Sequence, residues 1–203
     1  MPSRPTLHVI AGVNGAGKTS FYRYQLEQMT PGAEFVNADE IARERWPDAP
    51  DEHVADAAGL AVERRLELLD AGVTFVAETV FSHESKLELI EAAKRCGFRV
   101  ILYHVHVASA ELARSRVATR VHEGGHDVPD DKVDKRFVRC LELIPRAAAI
   151  ADRTLVFDNS GQSGTRTHVH VMTLVDGRVT KLSADAPAWL HDAYREAIAA
   201  YED

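Results

Sequence analysis

Residues 12–19 read Gly12-Val13-Asn14-Gly15-Ala16-Gly17-Lys18-Thr19, the pattern G-x-x-x-x-G-K-[ST]. They stand between an apolar strand-like run, Leu7 to Ala11, and a helix-like stretch that opens at Lys18. Strand, glycine-rich turn and helix in that order constrain the fold more than any other feature of the chain. The glycines let the backbone turn tightly and point successive N–H groups inward, at the positive end of the following helix, where an anion is held. The pattern is that of a phosphate-binding loop, and it predicts binding of ATP or GTP through Gly12, Val13, Asn14, Gly15, Ala16, Gly17, Lys18, Thr19 and the adjoining Ser20. The Lys18 ammonium suits the β- and γ-phosphates, and the Thr19 hydroxyl is placed to coordinate Mg²⁺.

Around this loop, short β-branched and apolar runs alternate with longer helical patterns. Leu7–Ala11, Glu34–Asn37, Thr74–Ala77, Val100–Val107 and Thr154–Phe157 read as five strands, with helices over Lys18–Gln28, Glu52–Asp70, His83–Cys96, Ala110–His122 and Asp131–Ala151. That alternation predicts an α/β phosphate-loop kinase fold, a five-stranded mostly parallel sheet flanked by helices. Further on, His168–Val175 and Arg178–Leu182 flank Asp176-Gly177, a hairpin signal, and Ala188–Tyr201 after Pro187 reads as a last helix. Ser160–Thr167 reads as a polar loop, with Asn159 and the residues after it placed to border the base. At 203 residues the chain reads as one domain, with a lid over about 110–140 and the hairpin and helix over about 165–203.

In a sheet of this type ligands bind beyond the carboxyl ends of the strands. Two carboxylates follow strand-like runs there. Asp39 comes just after Phe35-Val36 and is placed to take or orient the proton of an attacking hydroxyl; its alternative role is a helix N-cap. Glu78, with Thr79, comes just after Phe75-Val76-Ala77 and suits a Mg²⁺-bound water or a substrate hydroxyl; the alternative is another cap or a buried ion pair. Neither the third nor the fourth strand ends in the Asp that anchors Mg²⁺ in motor and switch NTPases, and no Asn-Lys-x-Asp guanine motif is present, which favours a small kinase using ATP.

Arg116 and Arg120 fall one turn apart, Gly124-Gly125 interrupts the helix, and helix resumes after Pro129 to carry Arg136 and Arg139. Arginine-bearing helices joined by a glycine hinge suit a lid that stabilises charge on a transferring phosphoryl group and excludes water. Arg120 and Arg136 are the leading candidates, with Arg116 and Arg139 behind them. The alternating pairs His104/His106 and His168/His170 lack a third ligand and read as packed or solvated rather than zinc-binding. Trp46 and Trp189 read as packing residues.

The net charge of −7 gives no electrostatic footprint for nucleic acid. No apolar run is long enough to span a membrane, and the first residues lack the order of a secretory signal, so the expected location is cytoplasmic. Cys96 and Cys140 are expected to be buried free thiols.

The stretches GVNGAGKTS, FVNADEIA, FVAETVFSH, the RVATRVHEGGHDVP lid with RFVR after it, and FDNS together resemble the zeta-toxin family of phosphate-loop kinases, in its short-chain form, from about Leu7 to Ser160. The resemblance implies that Lys18 and Thr19 bind ATP and Mg²⁺, that Asp39 is the base or hydroxyl-orienting group, that Glu78 contacts substrate, and that Arg120 and Arg136 are lid arginines. It also implies a sugar 3′-hydroxyl of UDP-N-acetylglucosamine as acceptor and a small antitoxin as partner. Members of the family usually follow the catalytic Asp with a small, an aromatic and a basic residue, where this chain has Glu40-Ile41-Ala42. Another small hydroxylated acceptor therefore stays open, as do a 5′-hydroxyl nucleic-acid kinase and a non-enzymatic nucleotide-binding module.

Overall fold

A computed structural model describes residues 4–122, 125, 127–161 and 168–202. Its centre is β1 (Thr6–Ala11), which pairs in parallel with β3 (Phe75–Thr79) on one side and β4 (Arg99–His106) on the other. With β2 (Glu34–Val36) outside β3 and β5 (Arg153–Asp158) outside β4, five strands run parallel. Helices cover both faces, so the central strands bury apolar residues on both sides: Leu7, Val9, Ile10, Phe75, Val76, Val100 and Leu102 have no exposed surface.

Among the described residues the sheet has seven strands, not the five expected. The hairpin strands β6 (Val169–Val175) and β7 (Arg178–Leu182) add antiparallel to β5, giving the order β2-β3-β1-β4-β5-β6-β7. Their buried Val171, Met172, Leu174 and Val179 supply the reason, because a hairpin with one apolar face is stable only when that face is covered. Asp176 at φ 47° and Gly177 at φ 74° make its turn.

The helices are α1 (Lys18–Phe21), α2 (Ala38–Arg45), α3 (Val54–Asp70), α4 (Ser85–Arg95), α5 (Ala110–His122), α6 (Asp130–Ile150), α7 (Ala188–Ala193) and α8 (Arg195–Glu202). The first is shorter than expected: it widens into a π turn over Tyr22–Leu26 and tightens into a 3₁₀ turn over Glu27–Met29. The final helix is two, broken at Tyr194, whose hydroxyl lies 2.9 Å from His104 Nδ1 in the core. Both cysteines are free, but Cys96 is exposed and only Cys140 is buried. Among the described residues no helix is long and apolar enough to cross a membrane. Gly124 of the expected hinge and residues 162–167 of the expected polar loop lie outside the described residues.

Candidate active site

The register of the sheet decides what meets the phosphate loop. β1 pairs Ile10 with Glu78 and Ala11 with Thr79, so the end of β3 stands beside the start of the loop at Gly12. The loop is packed so closely on its surroundings that none of its three glycines has room for a side chain: a Cβ on Gly12 would sit 2.2 Å from the Val105 carbonyl oxygen. A Cβ on Gly15 (φ +77°) would sit 2.3 Å from the Ala113 carbonyl oxygen, and one on Gly17 (φ +91°) would sit 2.4 Å from Asn159 Nδ2. Asn159, at the end of β5, donates from Nδ2 to the Ala16 carbonyl at 2.9 Å, and its own N–H donates to the His106 carbonyl. His168 Nε2 lies 3.1 Å from the Gly17 carbonyl. The far side of the sheet thus clamps the loop from behind.

A cleft of about 830 Å³ opens in front of it. Asn14, Gly15, Gly17, Lys18, Thr19 and Ser20 line it, while Gly12, Val13 and Ala16 are buried beneath the loop. Lys18, only 7% exposed, donates from Nζ to the Val13 carbonyl at 3.0 Å and lies 4.0 Å from Glu78 Oε1. Thr19 donates its hydroxyl toward both Glu78 oxygens, at 3.1 and 2.9 Å. Glu78 also accepts from Asn37 Nδ2 at 2.9 Å. Burial pushes the Glu78 carboxyl above its ordinary value, against the pull of Lys18 and the Thr19 hydroxyl.

Asn37 links the two carboxylates. Its Oδ1 caps α2 by accepting from the N–H groups of Asp39 (2.7 Å) and Glu40 (3.3 Å), while its Nδ2 holds Glu78. Asp39 is therefore not the cap, and its side chain lines the cleft in the first turn of α2. Thr79 lines the cleft beside Glu78. A hydroxyl and a carboxylate in contact form an all-oxygen set suited to a hard cation such as Mg²⁺, held with nucleotide phosphates rather than in an all-protein cage. Among the described residues no group of three His, Cys, Asp or Glu side chains forms a metal centre.

The two lid helices close the other wall. Arg114 of α5 pairs with Asp134 of α6. Arg116 and Arg120 of α5 and Lys132 and Arg136 of α6 line the cleft with Val128 and Pro129. Arg136 donates to Asn14 Oδ1 at 2.9 Å, which ties the lid to the phosphate loop, and Arg116 donates to the Gly161 carbonyl at 2.9 Å. Arg139 is elsewhere: it is exposed, pairs with Glu142 at 2.7 Å and does not line the cleft, because it faces outward on α6.

Other expected residues pack. The His104 and His106 rings contact Trp189, at 5.6 and 4.3 Å between centroids, and Trp46 stacks on His53. Asn37, Lys132, and two further cations, Arg65 and Lys86, also stand in the cleft wall and were not expected there from the sequence. Asn37 had a signal, an Asx residue directly before a helix. The pair Arg65 and Lys86 had none.

Fold and site together define a phosphate-loop nucleotide-binding protein with a kinase-like α/β core. The AAA_33 family model, described as an AAA domain, matches residues 7–143, and the chain belongs to that family. It is similar to a Haemophilus influenzae protein described only as uncharacterized, 26% identical over 126 residues that cover 62% of this chain and 88% of that protein. Among solved structures it is similar to the complex of AvrRxo1-ORF1 with AvrRxo1-ORF2 solved with ATP (TM-score 0.67, 18% identity, 97% of this chain). It spans 64% of the length of that chain. The PezAT chromosomal toxin-antitoxin system of Streptococcus pneumoniae is also similar (TM-score 0.62, 17% identity, 97% of this chain and 80% of that one).

Proposed function

We propose that the chain is an ATP-dependent phosphotransferase acting on a hydroxyl of a small acceptor. The observation that carries this reading is the convergence of a phosphate loop, a carboxylate at the end of β3 and another just after β2, and lid arginines on one cleft. The kinase-like fold and a structural relative solved with ATP support it.

On this reading the γ-phosphate of ATP lies between Lys18 and the lid. The acceptor oxygen attacks γ-phosphorus, a new P–O bond forms, and the bond to the β–γ bridging oxygen breaks to release ADP. Asp39 takes the acceptor proton. Lys18, Arg120, Arg136 and Arg116 balance charge on the transferring group and keep water out. Thr19, with Glu78, would hold Mg²⁺, which when bound would neutralise phosphate charge. The zeta-type resemblance makes the sugar 3′-hydroxyl of UDP-N-acetylglucosamine the first acceptor to try and an antitoxin the partner to seek. The PezAT relative is itself a toxin-antitoxin system.

The test incubates the protein with Mg²⁺-ATP and a panel of UDP-sugars, free sugars and a 5′-hydroxyl oligonucleotide, with products identified by mass. A phosphorylated UDP-amino sugar supports the zeta-type reading, and a phosphorylated oligonucleotide replaces it with a nucleic-acid kinase. Bound ATP with no product from any acceptor argues for a nucleotide-binding module.

A further inference from the structure

The cleft contains more positive charge than the donor side uses. Arg65 lies on α3, which leads from β2 to β3, and Lys86 lies in the first turn of α4, directly after β3. Both line the cleft on the flank that carries Asp39, whereas Asn159, His168 and Arg116 come from the β4–β6 flank.

Two neighbouring arginines on α3 show how unusual Arg65 is. Arg64 is surface-exposed and fully partnered, forking onto Glu34 at 2.8 and 2.7 Å and reaching Glu67. Arg65 is 5% exposed, and its buried Nε has no hydrogen-bond partner. Among the described residues, no carboxylate pairs with Arg65 or Lys86. Burial lowers the pKa of both, and Arg65 lowers that of Lys86 further. Two desolvated cations side by side with no carboxylate in ion-pair contact are costly, and such a pair persists where a ligand brings the counter-charge.

We propose that Arg65 and Lys86 form an anion site for the acceptor: they seat an oxyanion, phosphate or carboxylate, carried by the molecule whose hydroxyl is phosphorylated. The arginine fork donates to two oxygens side by side and the lysine adds a point charge. Seating that end of the acceptor on the β2–β3 flank sets its hydroxyl toward Asp39. A neutral sugar leaves both cations unpaired, so the site selects hydroxylated anions over neutral alcohols. The anion site stands on Arg65 and Lys86; its assignment to an acceptor rests on the phosphotransferase reading.

The test fills the donor site with Mg²⁺ and the non-hydrolysable analogue AMP-PNP, then titrates inorganic phosphate and, separately, glycolate by calorimetry. The wild-type chain binds at least one of the two probes, and the stronger probe shows which oxyanion the site prefers. Arg65→Gln and Lys86→Gln each weaken that binding at least tenfold and leave AMP-PNP affinity unchanged. Without ligand, Arg65→Gln raises the thermal midpoint, because an uncompensated buried charge is gone, and this shows that the variant folds. The inference is overturned if neither probe binds the wild type, or if binding is the same in both variants. Failure of AMP-PNP to bind the wild type strikes the phosphotransferase reading instead, and sensitivity of the anion titration to Arg65→Gln is still read on its own.

Discussion

Thr19 donates its hydroxyl to the Glu78 carboxylate, 2.9 Å from Oε2, across the end of the β1–β3 pair. The contact puts a carboxylate that burial renders costly beside the hydroxyl proposed to hold magnesium. Lys18 Nζ lies 4.0 Å from Glu78 Oε1.

Glu78→Gln therefore trades function for stability. The substitution keeps an acceptor for Thr19 and removes a desolvated charge, so its thermal midpoint rises above wild type by differential scanning fluorimetry. Magnesium-dependent ATP binding weakens. An unchanged or lower midpoint would contradict the direction of the Glu78 shift.

Arg136 is tied to Asn14 of the phosphate loop from a helix 122 residues away. Arg136→Ala is expected to lower kcat by roughly 10²–10³-fold, the scale of losing one preorganised donor to a developing charge. Arg139→Ala, which removes only a surface pair with Glu142, leaves steady-state rates near wild type.

Asn159 fills the space behind Gly17 and satisfies the buried Ala16 carbonyl. Asn159→Ala leaves that carbonyl unpaired and costs about 1–3 kcal/mol in urea unfolding. Because the clamp also shapes the phosphate loop, nucleotide affinity falls with it. Stability lost without any change in affinity would show that the clamp is structural alone.

The histidines of the sheet make the fold acid-sensitive. Burial lowers His106 to about 4, and His8 likewise to about 4, with Arg99 adding to the burial effect on His8. In the unfolded chain each takes a proton near 6.5, so the unfolded state binds more protons between pH 6.5 and 4, and stability falls as pH falls through that window. For His106 alone the loss from pH 7 to pH 5 is about 2 kcal/mol. His106→Phe, whose ring still packs between Trp189 and Phe137, flattens the pH dependence measured by urea unfolding at the two pH values.

The donor half of the site was legible because its signal is local: eight consecutive residues specify a turn, and a strand and a helix flank it. Asp39 and Glu78 were legible for a related reason, since a carboxylate directly after an apolar strand falls at the ligand-binding edge of a parallel sheet. Which side chain caps α2 and which faces the cleft was not, because Asn37 and Asp39 are both good caps and only the backbone path chooses. The hairpin was visible through Asp176-Gly177, but not its attachment to β5, which depends on a long-range pairing. Arg65 was invisible. Its meaning lies in the partner it lacks, and beside Arg64 it reads as one more surface arginine of a helix.

The most direct measurement follows the γ-phosphoryl group of ATP by ³¹P NMR in the presence of the best acceptor of the panel, for wild type and Asp39→Asn, with ATP affinity determined for both. The account predicts transfer to the acceptor in the wild type, and in the variant a rate lower by roughly 10²–10⁴-fold at unchanged ATP affinity. Equal rates in the two proteins would contradict it.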